Sequence, residues 1–295
     1  MQGFANRTII ACERINKHIA VRRAVTQFKS IGLAGLLIFI TETSFAQLQD
    51  ENKMEERSGN AATFSAGADL VSRYIWRGTD YGNSPAIQPA VAFSVVGLKA
   101  GFWGSYGLGQ YSRPINDTTV ANMGHYAEFD MYLSYTLKGF TLMAYDYFIP
   151  NSLDPNNGNR YFNFDNKTTG HTVEVCLSWA GPEKFPLQLY AGTLVFGADK
   201  GKDSTGVYGA GSDNNFSTYF EAAWQFNVKG FGVKPFVGAI PFGSSWYGPY
   251  GGIINIGLTV NKSIQFSKEY ALPVFGSVIT NPQAESVFLV FGISI

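Results

Sequence analysis

From residue 62 to its end, the chain is a succession of segments of about ten residues in which apolar and polar side chains alternate at a period of two. That period sends successive side chains to opposite faces of a strand. Residues 124–137 carry it most clearly: Ala127, Phe129, Met131, Leu133 and Tyr135 share one face, and Tyr126, Glu128, Asp130, Tyr132, Ser134 and Thr136 share the other. In 169–180, Val173, Val175, Leu177 and Trp179 alternate with Thr172, Glu174, Cys176 and Ser178. In 215–228, Phe216, Thr218, Phe220, Ala222, Trp224 and Phe226 alternate with Ser217, Tyr219, Glu221, Ala223, Gln225 and Asn227. Nine further segments follow the pattern less cleanly, at 63–77, 86–96, 98–108, 139–149, 186–197, 230–240, 252–261, 270–280 and 285–295. Val, Ile, Phe, Tyr and Thr dominate them and helical spacing is absent, so the expected class is all-β with about 12 strands.

The connections decide between β architectures. Tight links fall at Val96-Gly97, Lys138-Gly139 and Lys229-Gly230, with slightly longer ones at 180–185 and 261–269. Between them lie long polar loops at 78–85, 109–123, 150–168, 198–214 and 242–251. Short connections on one side and long ones on the other are the pattern of a transmembrane antiparallel up-and-down β-barrel, with both chain ends on the short-turn side. The second strand face is mainly Gly, Ser, Tyr, Thr and Gln, and only 15% of the chain is charged, against about 25% in a soluble domain. Such a face suits a lumen better than a water-washed exterior. A soluble barrel or sandwich remains the alternative, because alternation alone does not say which side is wet.

The longest strongly apolar run, residues 31–40, is too short for a membrane-spanning helix, which needs about 20 residues. Arg22, Arg23 and Lys29 precede it and Ser44-Phe45-Ala46 follows, which is the order of an export signal. The expected organisation is a signal peptide at 1–46, a polar periplasmic leader at 47–61 and a barrel at 62–295 in the cell outer membrane. The 22 basic and 22 acidic residues give no single-sign field to hold nucleic acid, which is excluded as a partner. Cleavage would remove Cys12, leaving Cys176 with no disulfide partner.

Residues 66–109 include Ser72-Arg-Tyr74-Ile-Trp-Arg77-Gly78, then Pro85-Ala-Ile-Gln88, then Gly101-Phe-Trp103-Gly104-Ser105. This order resembles the bacterial porin family often called TorF-like, with its S-x-Y-x-x-R-G, P-A-[IL]-Q and Gly/Trp/Ser-rich elements. The resemblance implies an outer-membrane β-barrel acting as a channel, with no catalytic residue to carry over. Such barrels usually finish on an aromatic residue read by the barrel-assembly machinery, whereas this chain finishes on Ile295.

With the apolar faces outward, the expected pore lining is Asp69, Arg73, Arg77, Lys99, Glu128, Asp130, Asp146, Glu174, Glu221 and Lys234. These ten groups either filter small solutes by charge or bridge one another and stiffen the wall. A turn at Lys138-Gly139 pairing Thr136 with Phe140 would set Asp130 opposite Asp146, where like charges repel unless an Arg, Lys99 or a bound cation intervenes. Tyr74, Trp76, Tyr145, Tyr147, Trp179 and Trp224 fall near strand ends as an interfacial girdle. His125 and His171 begin strands at the outer rim, without the spacing of a metal or hydrolase motif. The expected function is a passive porin-like channel for small solutes, embedded in outer-membrane lipid and not an enzyme, with no metal and no cofactor. An outer-membrane lipid-modifying enzyme and a non-conducting barrel whose outer loops bind a partner are the alternatives.

Overall fold

Nearly every alternating segment becomes an antiparallel strand in the computed structural model, which describes residues 61–114, 120–150, 160–207 and 209–295. The signal peptide, nearly all of the leader and parts of the loops at 109–123 and 150–168 lie outside the described residues. The strands are β1 (Thr63–Val71), β2 (Tyr74–Trp76), β3 (Thr79–Tyr81), β4 (Ala86–Val95), β5 (Leu98–Pro114), β6 (Val120–Leu137), β7 (Phe140–Phe148) and β8 (His171–Ala180). They continue with β9 (Leu187–Gly197), β10 (Thr218–Trp224), β11 (Phe226–Val228), β12 (Phe231–Ile240), β13 (Gly252–Gln265), β14 (Ala271–Asn281) and β15 (Ser286–Ser294). Sequential neighbours pair around the wall, β1 pairs with both β4 and β15, and β10 and β11 are successive halves of one strand against β12. The result is a closed wall of twelve strands.

Three two-residue turns close the tight side. Val96-Gly97, Lys138-Gly139 and Lys229-Gly230 all have positive φ at both positions, the turn geometry whose twist matches a hairpin. Burial follows the period of two. On β6, Tyr126, Glu128, Asp130, Tyr132 and Ser134 are buried while Phe129, Leu133, Tyr135 and Leu137 are exposed. The same apolar exposure continues outward through Val91, Phe102, Leu142, Leu177, Leu189, Phe220, Val237, Leu258, Val278 and Leu289. A belt of this extent has no counterpart on a soluble monomer, whose largest apolar patch is of order 300–600 Å². No helix among the described residues is long and apolar enough to cross a membrane, which says nothing of a β-barrel, whose crossing would be made by its strands.

The principal departure from the sequence expectation is at 63–77, which does not form one strand. β1 ends at Val71, and β2 and β3 form a separate two-stranded sheet. This hairpin turns on Arg77-Gly78, with φ of 49° and 78°, and pairs Trp76 with Thr79 and Tyr74 with Tyr81. Tyr74, Ile75 and Trp76 are all buried. The hairpin therefore folds into the barrel, and its side chains join those of the inner wall as the molecule's core.

Candidate functional site

The hairpin tip reaches across the lumen. Gly78 is needed there for space as well as for its φ, since a Cβ would stand 2.2 Å from the Ile254 carbonyl oxygen. The Asn281 Nδ2 donates to the Gly78 carbonyl at 3.2 Å and ties the tip to β14. Next to it, Arg77 places Nη1 2.8 Å from Glu174 Oε1 and Nη2 2.8 Å from Oε2, a two-pronged fork. Its Nη2 also donates to the Tyr190 hydroxyl at 2.6 Å, and its Nη1 donates to the Tyr247 hydroxyl. Tyr147 donates to Glu174 Oε2 at 2.7 Å. The guanidinium lies 4.3 Å from the Trp76 ring centroid and 4.7 Å from that of Tyr219. The pair is almost wholly desolvated, with side-chain exposures of 8% and 0%, so its hydrogen bonds and aromatic faces have to replace water.

At the hairpin base, Arg73 pairs with Asp80 at 2.9 Å. Tyr74 packs against Tyr81, Trp103 and Tyr126, and Trp76 against Tyr147, Trp246 and Tyr247, with centroids 5.4–6.0 Å apart. This aromatic packing fills the lumen around the tip.

Six of the other expected lining charges lie along the inner wall. Glu128 accepts from the Tyr126 hydroxyl at 2.8 Å, and Asp130 accepts the Phe148 N–H at 3.3 Å. Glu221 accepts from Tyr219 at 2.6 Å and from Asn255 at 3.3 Å. Asp69 is buried on β1, Lys99 lies over the Tyr132 ring, and Lys234 lies over that of Phe236. Among the described residues no three His, Cys, Asp or Glu side chains are grouped to hold a metal ion.

Two expectations are corrected here. Asp146 is not in the lumen: the turn pairs Leu137 with Phe140 and Thr136 with Thr141, so Asp130 faces Tyr147 and Asp146 faces Met131. A register one residue from the expected one moves a side chain to the other face of the sheet. Asp146 points outward and meets His171 Nδ1 at 3.0 Å, while His171 Nε2 donates to the Tyr161 carbonyl at 2.6 Å. Phe164 stacks on the same imidazole, which buries His171 beneath the segment at 160–169 rather than at a wet rim. The second correction is the aromatic girdle. Tyr74 and Trp76 enter the lumen on the hairpin, and Tyr145 and Tyr147 enter it by the same register, while Trp179 and Trp224 keep outward positions. Arg73 and Arg77 likewise leave the wall strand to which the sequence assigned them.

Sequence reasoning missed the tyrosines that surround the Arg77–Glu174 pair: Tyr147, Tyr190, Tyr219 and Tyr247. The signal was the dipeptide Arg77-Gly78, a basic residue and a glycine like Lys138-Gly139 and Lys229-Gly230, both of which are two-residue turns.

Residues 55–239 match the model of a family described as a bacterial protein of unknown function (Gcw_chp). No curated protein matches the chain. Among solved structures, it is similar to a mutant Rh. blastica porin at 9% identity and a TM-score of 0.32, over 80% of this chain and 99% of that one. It is also similar to Salmonella typhi OmpF in complex with daunomycin, at 8% identity and a TM-score of 0.34, over 81% of this chain and 98% of that one. At such scores the likeness is distant, and the barrel rests on the strand order itself.

Proposed function

The chain belongs to the Gcw_chp family, and we propose that it is an outer-membrane channel for small solutes whose bore is set by a hairpin held inside the barrel. The observation that carries this is the fork of Arg77 on Glu174, made from a hairpin that leaves the wall to reach the opposite side of the lumen. A twelve-stranded wall falls between barrels filled by side chains and barrels with an aqueous channel, so an element folded inward decides what can pass. The apolar outer belt supports a bilayer as the surroundings, and the TorF-like elements at 72–105 support a channel. The reading calls for no covalent chemistry and no cofactor. Its partners are outer-membrane lipid, the permeating solute and, during biogenesis, the barrel-assembly machinery.

The carboxylates Asp69, Glu128 and Asp130 lie inside with Lys234, Glu221 and Lys99 meet the inward Tyr219 and Tyr132, and Arg77 is matched by Glu174. Lumen rings of one charge sign select the opposite ion, so the acidic surplus favours small cations. A second reading, a non-conducting barrel that binds a partner through its outer loops, draws on the same packed lumen. Single-channel recording of the purified protein in planar bilayers separates the two. Small, cation-preferring steps support the channel; a silent wild type together with a silent Arg77→Ala variant overturns it in favour of the second reading.

A further inference from the structure

The wall is not equally complete on all sides. β1 pairs with β4 through nine residues, Thr63 to Val71, but with β15 through only three, Asp69 to Val71. Further contacts at that seam come from Ala68 with Ile295 and from the Ser72 N–H to the Phe291 carbonyl at 2.7 Å. Beyond Ser72 the chain turns inward to make the hairpin, and it rejoins the wall at Pro85, whose carbonyl accepts the Leu108 N–H. Towards the long-loop side of Ser72 and Pro85, the wall therefore lacks two strands. Ser286 to Val290 of β15 have no ladder partner on that side among the described residues, and β5 continues to Pro114 across the opening. With strands spaced about 4.8 Å apart, the two missing strands leave β15 and β5 about 14 Å apart at this level.

The rims of the notch are apolar. Val287 and Leu289 on β15 are 72% and 58% exposed, and Tyr106 and Leu108 on β5 are 50% and 52% exposed. They continue the outward belt of Leu70, Ile87 and Phe291. An unpaired edge among lipid-facing residues would be costly if nothing backed it. What backs it is β2, whose residues contact β15 and whose Tyr74 and Trp76 are buried against the aromatic cluster of the lumen.

We propose that this notch is a lateral portal through which a small apolar or amphipathic solute passes between the lumen and the bilayer, with the β2–β3 hairpin as its door. The inference rests on the reading of the chain as a membrane-spanning barrel. The door is latched at its far end by Arg77 on Glu174, and an apolar solute that displaces it from the lipid side meets the aromatic cluster behind it. The strand departure that fills the bore thus also opens the side.

Quenching by lipid tests it. In a Cys12→Ser, Cys176→Ser background, single cysteines are introduced as Val290→Cys (inward, beside the notch), Leu177→Cys (outward, in fully paired wall) and Ser178→Cys (inward, in fully paired wall). Each is labelled with bimane in denaturant and refolded into phosphatidylcholine vesicles whose acyl chains carry bromine. Phe288→Cys, on the same unpaired stretch, serves if the Val290 variant does not refold. The portal predicts strong quenching at 177, little at 178, and quenching at 290 or 288 clearly above that at 178. Quenching at 177 without quenching at 290 and 288 overturns the portal alone. Absence of quenching at 177 overturns the membrane-spanning reading, and the portal with it.

Discussion

Replacing Arg77 with alanine should release the hairpin and open the lumen. Arg77 and Glu174 are joined by two contacts of 2.8 Å at near-zero exposure, and removing one partner of a buried ion pair costs about 3–5 kcal/mol. Glu174 keeps the Tyr147 and Tyr190 hydroxyls, at 2.7 and 3.1 Å, which places the loss near the lower end, about 3 kcal/mol. At about 1.4 kcal/mol per decade, the ratio of inward to released hairpin should fall by about 100-fold. The wall ladder does not involve β2 or β3, so the barrel should still assemble. Planar-bilayer recording should then show larger conductance steps than in the wild type, and a reversal potential shifted towards cations because Glu174 is left uncompensated. The Arg77→Ala, Glu174→Gln double variant, with each single variant, isolates the pair: it removes both charges, and the cycle should return a coupling of about 0.5–3 kcal/mol. Unchanged conductance and unchanged selectivity in Arg77→Ala would refute the claim that this pair sets the bore.

Other consequences are simpler to measure. Gly78→Ala should displace the hairpin even though the side chain gained is one methyl, because its Cβ would meet the Ile254 carbonyl oxygen; by contrast Gly230→Ala, at a similar φ with open space, should cost only about 1 kcal/mol. Conductance and thermal unfolding of the two variants check this, and equal behaviour would count against the tip's placement. His171→Ala should free the segment at 160–169 from the wall, since it removes the imidazole contacts to Asp146 and to the Tyr161 carbonyl; tryptic cleavage at Lys167 should rise, and an unchanged digest would show that the imidazole is not its anchor. Protease added to intact cells should cut within 198–214 and spare Lys138-Gly139 and Lys229-Gly230, and the opposite pattern would reverse the orientation. Sequencing of the exported protein should find Gln47 first, and retention of residues 1–46 would remove the signal peptide.

The wall was largely legible because barrel strands are specified by local pattern. Alternation on β6, β8 and β10 states which face is apolar, and Lys138-Gly139 and Lys229-Gly230 are turns of a type that two adjacent residues can encode. Register is less local: whether Thr136 pairs with Phe140 or Thr141 depends on how many residues the turn holds, and that one-residue choice decided the fate of Asp146, Tyr145 and Tyr147. The hairpin was harder still. Residues 72–81 carry β-forming aromatics that read equally well as the end of β1. Nothing in their order says that Tyr74 and Trp76 prefer the lumen to a lipid interface, because an aromatic ring is accommodated by either. The decision comes from partners distant in sequence, Glu174, Tyr190 and Tyr247, which give Arg77 a place to go.

The most direct test of the central claim is amide hydrogen exchange of the protein reconstituted in lipid, read on the peptide covering residues 72–83. A hairpin folded into the lumen, with Tyr74, Ile75 and Trp76 buried, should exchange slowly, close to the wall strands and far more slowly than the loop at 198–214. Exchange of this peptide as fast as that loop would mean that the segment lies outside the barrel, and the account of the bore, the latch and the portal would fail together.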